Sequence, residues 1–478
     1  MQFVIPLSDQ GEPLSRQVYL WFRSAALSGS LAAGERLPSS RELADQLGIS
    51  RTVVIQAYEQ LLAEGFVVGR HGSGTYIAEG LSARTEPKEH LSSTHVRLSP
   101  YGKYAASALP RFNVPRPQSK PLRYDFSYRS SPLEGFPLSA WQRIMGRLAR
   151  RAPTRAHQYG SAEGRLGLRE AIASHLRRSR AVVCDPSQIV IVNGSQQALD
   201  LAARVLLTRG DRVVIENPHY QGAREIFRAS GAKLHPVAVD RDGLRVEKLP
   251  ARANVAFVTP SHQFPTGAVL PLQRRLALLA WAKRAGAVII EDDYDGEFRY
   301  EGQPLESMQG LDTEGRVIYV GTFSRTIFPA LRIGHLIAPE SLVQAFTGAK
   351  WLADRHTSTL EQETLAEFIT SGAYERYLRR ARKANARRRD ILLKALEEHL
   401  AHQVTVTGQN SGAHIVLWPL GRVCEEAVIT RAAEVGVGIY GTSHYYYSRT
   451  KRAGLLLGYA HMREADIREG IRRLAGVL

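Results

Sequence analysis

The chain has 478 residues, 44% of them apolar and 23% charged, a balance that excludes a disordered polyelectrolyte and, at ~150 residues per domain, leads to an expectation of about three globular domains. No apolar run approaches the ~18 residues of a membrane helix, residues 1–14 lack the pattern of a secretory signal, and Cys184 and Cys424 stand in no metal-like spacing, so the expectation is a reduced cytoplasm, no membrane and no metal. The net charge of +17 favours a polyanionic partner, yet residues 1–80 hold six Arg and no Lys against eight Asp/Glu, so charge alone does not make the first segment a DNA reader.

Ser39 and Glu42 form an S-x-x-E capping box that opens a helix expected over 40–47 and ended by Gly48. Ser50 caps a second expected helix over 51–63, in which Val54, Ala57, Tyr58 and Leu61 recur at helical spacing. Residues 65–69 and 75–78 read as two short strands around a turn at 70–74. Together they describe a winged helix-turn-helix domain at 12–80. Helix spacing of this kind arises in any three-helix domain; the glycine-rich wing in register makes the pattern specific. The stretch LPSSRELADQLGISRTVVIQAYEQLLAEGFVVGRHGSGTYI resembles the GntR-type DNA-binding domain. The resemblance implies that the second helix enters the major groove with Arg51 and Thr52 facing bases. It also implies that Arg41 reaches backbone or base and that the wing residues Arg70, His71, Gly72 and Gly74 approach the minor groove. The competing reading leaves Arg51 as a solvated surface residue.

Residues 81–123 are rich in Ser, Pro and basic residues, with eight Lys/Arg against two Glu. They read as a basic linker with a short helix at 104–109. Its charges either touch DNA phosphates or are simply solvated.

From 124 to 478, apolar runs at 189–192, 212–215, 255–258, 287–290 and 317–320 alternate with helical stretches. This alternation predicts an α/β domain with a mainly parallel sheet, whose ligands bind beyond the carboxyl ends of its strands. The polar residues of interest follow those runs. Residues 159–164 (YGSAEG) form a glycine-containing loop. Residues 193–197 (NGSQQ) open a helix, so the amides of Ser195 and Gln196 can cradle a phosphate. Tyr220 can stack on an aromatic ring. Asp292, in EDDY, can face a pyridine nitrogen. Thr322, Ser324 and Arg332 complete a phosphate cup. Singly, each is an ordinary turn, core aromatic or solvated carboxylate; their joint order and spacing carry the inference.

These residues, with VTPSHQFPTG (258–267), IIEDDYDGEFRY (289–300), YVGTFSRTIFPALRIG (319–334) and GLLLGYA (454–460), resemble the MocR family (PdxR-like regulators) over essentially the whole chain. The resemblance implies a GntR-like reader joined by the linker to a fold-type-I aminotransferase-like domain of pyridoxal-phosphate (PLP) enzymes. That domain has a large mainly parallel sheet and a smaller C-terminal α+β part, and it implies a homodimer. It also implies that Asp292 pairs with the pyridine nitrogen, Tyr294 meets the ring hydroxyl and Tyr220 stacks on the ring, while Ser195, Gln196, Thr322, Ser324 and Arg332 hold phosphate.

Three positions depart from the aminotransferase pattern. Arg325 stands where the Schiff-base lysine belongs, Phe264 where an N-P-T-G asparagine is usual, and Leu456 where an arginine often binds the substrate carboxylate, with Arg452 as a neighbouring substitute. A guanidinium stays protonated and cannot act as the amine nucleophile, so no catalytic residue is expected. The sequence leaves open whether the arginine is native or replaces a parental lysine. The expected ligand is PLP held noncovalently at most, pyridoxamine phosphate, a PLP–amine adduct or another anionic metabolite, with Arg325 hydrogen-bonding phosphate or aldehyde oxygen. The alternatives are an abandoned pocket in which Arg325 only preserves charge, and a PLP-dependent aminotransferase with an accessory DNA-binding domain. Residues 376–389 carry eight Lys/Arg on a helix expected over 373–400, read either as a second DNA-contacting surface or as a solvated face. The whole is expected to be a regulator that binds repeated operator half-sites in double-stranded DNA rather than an enzyme.

Overall fold

Pro13 precedes a helix, Leu14–Ser28, for which the sequence carries no side-chain cap. Gly29 ends it in the left-handed region at φ 78°, a conformation glycine adopts without cost. Its Val18, Tyr19, Phe22 and Ala25 pack with Val54, Ala57, Tyr58 and Leu61 in one core. Fully burying a side chain such as Phe22 contributes about 1.5–3 kcal/mol. The structure is a computed structural model that describes residues 3–8, 11–80, 97–108, 122–128, 135–151, 158–300, 305–448 and 453–478. The chain forms two compact units, Met1–Arg97 and Leu98–Leu478.

The first unit follows its local signals closely. Helix Ser40–Leu47 starts with the capping box complete: Ser39 Oγ accepts from the Glu42 amide at 3.2 Å, and Glu42 Oε2 accepts from the Ser39 amide at 2.8 Å. Helix Arg51–Ala63 starts at Ser50, whose Oγ accepts from the Val53 amide at 3.4 Å. The strands are Val67–Arg70 and Gly74–Ile77, so Arg70 lies in the strand rather than in the turn, paired with Gly74. The turn closes inside the hairpin, where the Ser73 amide donates to the Arg70 carbonyl at 2.9 Å; beyond it the Leu37 amide donates to the Thr75 carbonyl at 2.8 Å and Arg36 bridges to Tyr76.

The second unit is built on an eight-stranded sheet. Its order is Ile189–Val192, Gly334–Ile337, Val317–Thr322, Val288–Asp293, Val255–Val258, Arg212–Asn217, Lys233–Asp240 and Gly243–Leu244. The central neighbours are parallel; Gly334–Ile337 runs antiparallel to both of its neighbours, and Gly243–Leu244 to Lys233–Asp240. Three of these strands, Arg212–Asn217, Val288–Asp293 and Val317–Thr322, outrun the apolar residues that announced them. Val288–Asp293 continues past its apolar residues because Glu291 and Asp293, on either side of Asp292, find partners inside the fold. Glu291 accepts from the amides of Met308 and Gln309 at 2.9 and 3.0 Å, and Asp293 from Arg180 and Tyr319, each at 2.6 Å. A four-stranded antiparallel sheet (Val404–Thr407, His414–Pro419, Leu455–Gly458, Tyr440–Gly441) packs with helices Ala373–Leu400, Glu425–Glu434 and Glu464–Ala475 as the smaller C-terminal part.

The connector helix spans Pro100–Ala108 rather than 104–109; residues 81–96 and 109–121 lie outside the described residues. Helix Ala373–Leu400 is continuous over 28 residues, and the eight basic residues of 376–389 divide between the interior of the unit and one exposed stripe. Arg382 donates to the Glu297 carbonyl, Arg388 to the Met462 carbonyl, and Arg389 to the Gln409 carbonyl. Arg376, Arg379, Arg380, Lys383 and Arg387 remain exposed.

Candidate functional site

The sheet delivers its polar residues to one cavity of about 170 Å³, lined by Ser195, Gln196, Tyr220, Asp292, Tyr294, Thr322, Ser324, Arg325 and Arg332, the nine residues singled out from the sequence. Tyr128, Thr259 and Phe264 complete the lining. Thr259 follows strand Val255–Val258 directly, so the rule that sites gather at strand ends would have found it. Phe264 lies in the VTPSHQFPTG motif, whereas Tyr128 comes from a loop with no such signal. The cavity is small beside the several hundred Å³ of pockets for drug-sized ligands, which suits a compact metabolite.

Ser195 and Gln196 open helix Ser195–Leu206, whose N-cap Gly194 has φ 85° and contributes no side chain. Arg332, itself left-handed at φ 52°, lies against that glycine and donates to the Asn193 carbonyl at 2.7 Å. A Cβ at Gly194 would come within 2.9 Å of Arg332 Nη2. The helix terminus, its open amides and a guanidinium together favour an anion. Tyr220 donates to Gln196 Oε1 at 3.1 Å, and Thr322 Oγ1 accepts from the Ser324 amide at 3.2 Å.

Asp292 is the opposite pole. It is 5% exposed, and its Oδ1 has no hydrogen-bond partner. Burial pushes its carboxyl up to about 8, helped by Asp293, Asp295 and Glu216 and opposed by Arg325. Burial likewise raises Glu216 to about 7, although Thr259 Oγ1 donates to it at 2.6 Å. A buried polar atom without a partner calls for one, and a protonatable ring nitrogen would supply it. Behind Tyr294, whose hydroxyl lies 3.0 Å from His262 Nδ1, His262 meets Asp295 at 2.8 Å and His414 meets the Pro265 carbonyl at 3.0 Å. His262, Asp295 and His414 are close enough to hold a metal; His262 Nδ1 is taken by Asp295 and His414 Nε2 by the Pro265 carbonyl, while His262 Nε2 has no hydrogen-bond partner.

The raised carboxyls have a pH consequence. Between pH 6.5 and 8 the folded chain keeps protons on Asp292 that the unfolded chain has already lost, so stability falls as pH rises through this window. His219, His335 and His414, all lowered to about 3 by burial, act with the opposite sign but only below about 6.5, the unfolded histidine value. Asp292→Asn is therefore expected to flatten the decline in melting temperature between pH 6.5 and 8; an unchanged slope would contradict the raised carboxyl.

Arg325 donates through Nη1 to the Tyr128 carbonyl, and its Cζ lies 5.0 Å from the centroid of the Tyr128 ring. No lysine lines the cavity among the described residues. Lys350 is buried elsewhere against Asp354, at 2.7 Å, and Gln197, at 3.0 Å. The residues present thus fit a phosphorylated pyridine at its phosphate, ring face and ring nitrogen, and do not fit a covalent anchor. Residues 159–164 are not among the lining: Tyr159 is exposed and Gly164 packs on Ile191, where a Cβ would come within 2.4 Å. Leu456 is fully buried beside Phe264 and Tyr445, and Arg452 lies outside the described residues. A larger cleft, about 530 Å³, opens between Thr266–Val269 and Val406–Asn410; its Asp240 is occupied by Arg274 at 2.6 Å.

In the first unit, Arg41, Arg51, Thr52, Arg70, His71, Gly72 and Gly74 are all exposed. Arg51 Nε donates to Ser40 Oγ at 3.2 Å, which ties the start of one helix to the other. Gly74 has φ 117°, and a Cβ there would meet Arg36 Nε at 3.1 Å, so the wing tip needs glycine. Arg70 lies 3.5 Å from Glu79 and 4.8 Å from the Tyr76 ring.

Comparison with known proteins agrees with this division. Residues 14–77 match the bacterial regulatory proteins of the gntR family, and residues 134–474 match aminotransferase class I and II. The chain is 38% identical to "Probable rhizopine catabolism regulatory protein MocR" of Rhizobium meliloti, over 98% of this chain and 94% of that protein. It is 33% identical to "HTH-type pyridoxine biosynthesis transcriptional regulator PdxR" of Corynebacterium glutamicum, over 93% and 92%. Among solved structures it resembles Pyrococcus horikoshii kynurenine aminotransferase (28% identity, TM-score 0.70, 81% of this chain and 96% of that one). It also resembles the α-aminoadipate aminotransferase LysN of Thermus thermophilus (30% identity, TM-score 0.71, 79% and 96%). Among the described residues, no helix is long and apolar enough to cross a membrane. The chain belongs to the MocR/PdxR-like family of HTH-type transcriptional regulators, in which a GntR-type helix-turn-helix domain is joined to a fold-type-I aminotransferase domain.

Proposed function

We propose that this regulator reads duplex DNA with its winged helix and senses a small anionic metabolite in the aminotransferase-like cavity without converting it. The observation that carries this reading is Arg325, which lines the cavity where no described lysine does. Ser195, Gln196, Thr322, Ser324 and Arg332 would hold the phosphate of PLP, Tyr220 its ring face, Asp292 its ring nitrogen and Tyr294 its hydroxyl. When bound, PLP supplies an electrophilic carbonyl and an electron-accepting ring. The residues here bind and orient it, and Asp292 holds a proton at its carboxyl. Pyridoxamine phosphate, a PLP–amine adduct or another anionic metabolite would meet the same donors.

Paired readers in a homodimer would engage repeated half-sites in cytoplasmic DNA, with affinity falling steeply as salt rises. A route for coupling supports the sensing role. Tyr104, on the connector helix Pro100–Ala108, donates to Glu225 on helix Gln221–Ala229, whose N-cap is the cavity residue Tyr220. A ligand that displaces Tyr220 acts on the helix where the connector is anchored, and it shifts the equilibrium by its differential affinity for the two arrangements. Tyr104→Phe is expected to preserve ligand binding and to shrink the ligand-dependent change in DNA affinity. The main test is a mobility shift at fixed salt with operator and scrambled duplexes, with and without PLP. Sequence-preferring binding that responds to ligand supports the reading; sustained transamination by the unaltered chain overturns it in favour of an aminotransferase.

A further inference from the structure

The cavity carries two cationic groups with different surroundings. Arg332 belongs to the helix terminus, through Gly194 and the Asn193 carbonyl. Arg325 is the guanidinium that acts on Asp292, Tyr294 and His414, and it is braced by the carbonyl and the ring of Tyr128. A guanidinium is a planar fork of donors that matches a carboxylate with two parallel hydrogen bonds. An aldehyde offers that fork one acceptor, and an ammonium group is repelled by it. Asp292, protonated near neutral pH, brings no full negative charge to compete for Arg325. Tyr128, Tyr220 and Phe264 supply aromatic walls between the polar groups.

Resting on the reading of this cavity as a pyridine-phosphate site, we propose that its preferred ligand bears two acidic groups. One is a phosphate at Ser195, Gln196 and Arg332. The other is a carboxylate facing Arg325, on the ring carbon that bears the aldehyde in PLP. The ligand class is thus the oxidised, acid form of the phosphorylated pyridine rather than its aldehyde or amine.

Titration calorimetry of the full-length protein at pH 7 with 4-pyridoxic acid 5'-phosphate, PLP, pyridoxamine phosphate and inorganic phosphate tests this. The acid is expected to bind roughly tenfold tighter than PLP, the gain of one charge-assisted pair over a neutral one, with pyridoxamine phosphate weakest. Arg325→Gln is expected to erase the acid's advantage, whereas Arg332→Gln weakens all three ring compounds alike. If Arg325→Gln fails to fold, the ligand order on the unaltered chain decides. An acid that binds no tighter than PLP overturns the proposal while leaving the pocket reading intact. Binding by none of the three ring compounds overturns both.

Discussion

Arg325→Lys protein treated with PLP and then borohydride should retain the cofactor through denaturation, while the unaltered chain releases all of it. The expectation follows from one side chain. A guanidinium keeps its proton at every accessible pH and has no lone pair to attack a carbonyl, whereas a lysine amine loses its proton readily once desolvated. The surroundings needed by such an amine are already in place: Tyr294, Asp292 and Tyr128 line the same cavity. Covalent retention should slow the loss of PLP during gel filtration by roughly tenfold or more, each tenfold being ~1.4 kcal/mol. Intact-mass measurement after reduction reads the result directly. A trapped adduct on the unaltered chain would mean that a lysine from elsewhere reaches the ligand, and the noncovalent reading would fall.

The second large effect is expected at the other unit. Arg51→Ala should weaken operator binding roughly 5- to 150-fold, the ~1–3 kcal/mol of a well-placed base contact, and should relax preference at the base pair it faces. Arg51 is exposed at the first turn of its helix and oriented by Ser40 Oγ, so its loss should leave the fold intact. Its helix is capped by Ser50, and its buried side is Val54, Ala57, Tyr58 and Leu61. Fluorescence anisotropy with operator and scrambled duplexes across a salt series separates two outcomes. A base contact lowers specificity, whereas a phosphate contact weakens both duplexes alike and lowers the salt slope by about one. No change in either quantity would return Arg51 to the solvated surface.

Much of the first unit was legible because its signals are local. A serine with a glutamate three residues on, a glycine after the last helical turn and a glycine at the wing tip each act within one turn of the chain. Leu14–Ser28 was missed because it starts at Pro13 without a side-chain cap. The nine cavity residues were legible for another reason: each lies at or just after the carboxyl end of a strand or in the YVGTFSRTIFPALRIG motif, and strands of such a sheet present their carboxyl ends to one crevice. Tyr128 reached the cavity from a segment with neither signal. The basic helix shows the limit of composition, since Arg382, Arg388 and Arg389 spend their donors on carbonyls of the same unit.

By itself the sequence determined the two serine-capped helices of the first unit, the apolar cores of five strands and the identity of the side chain at position 325, because these depend on neighbours a few residues away or on covalent structure alone. Only the tertiary structure decided that Asp292 is buried deeply enough to hold its proton near neutral pH, that the strand carrying it runs on through three carboxylates, and that Arg325 is braced by Tyr128 across 197 residues of chain. Desolvation and charge coupling are properties of what the fold packs around a group, and no stretch of sequence around that group contains them.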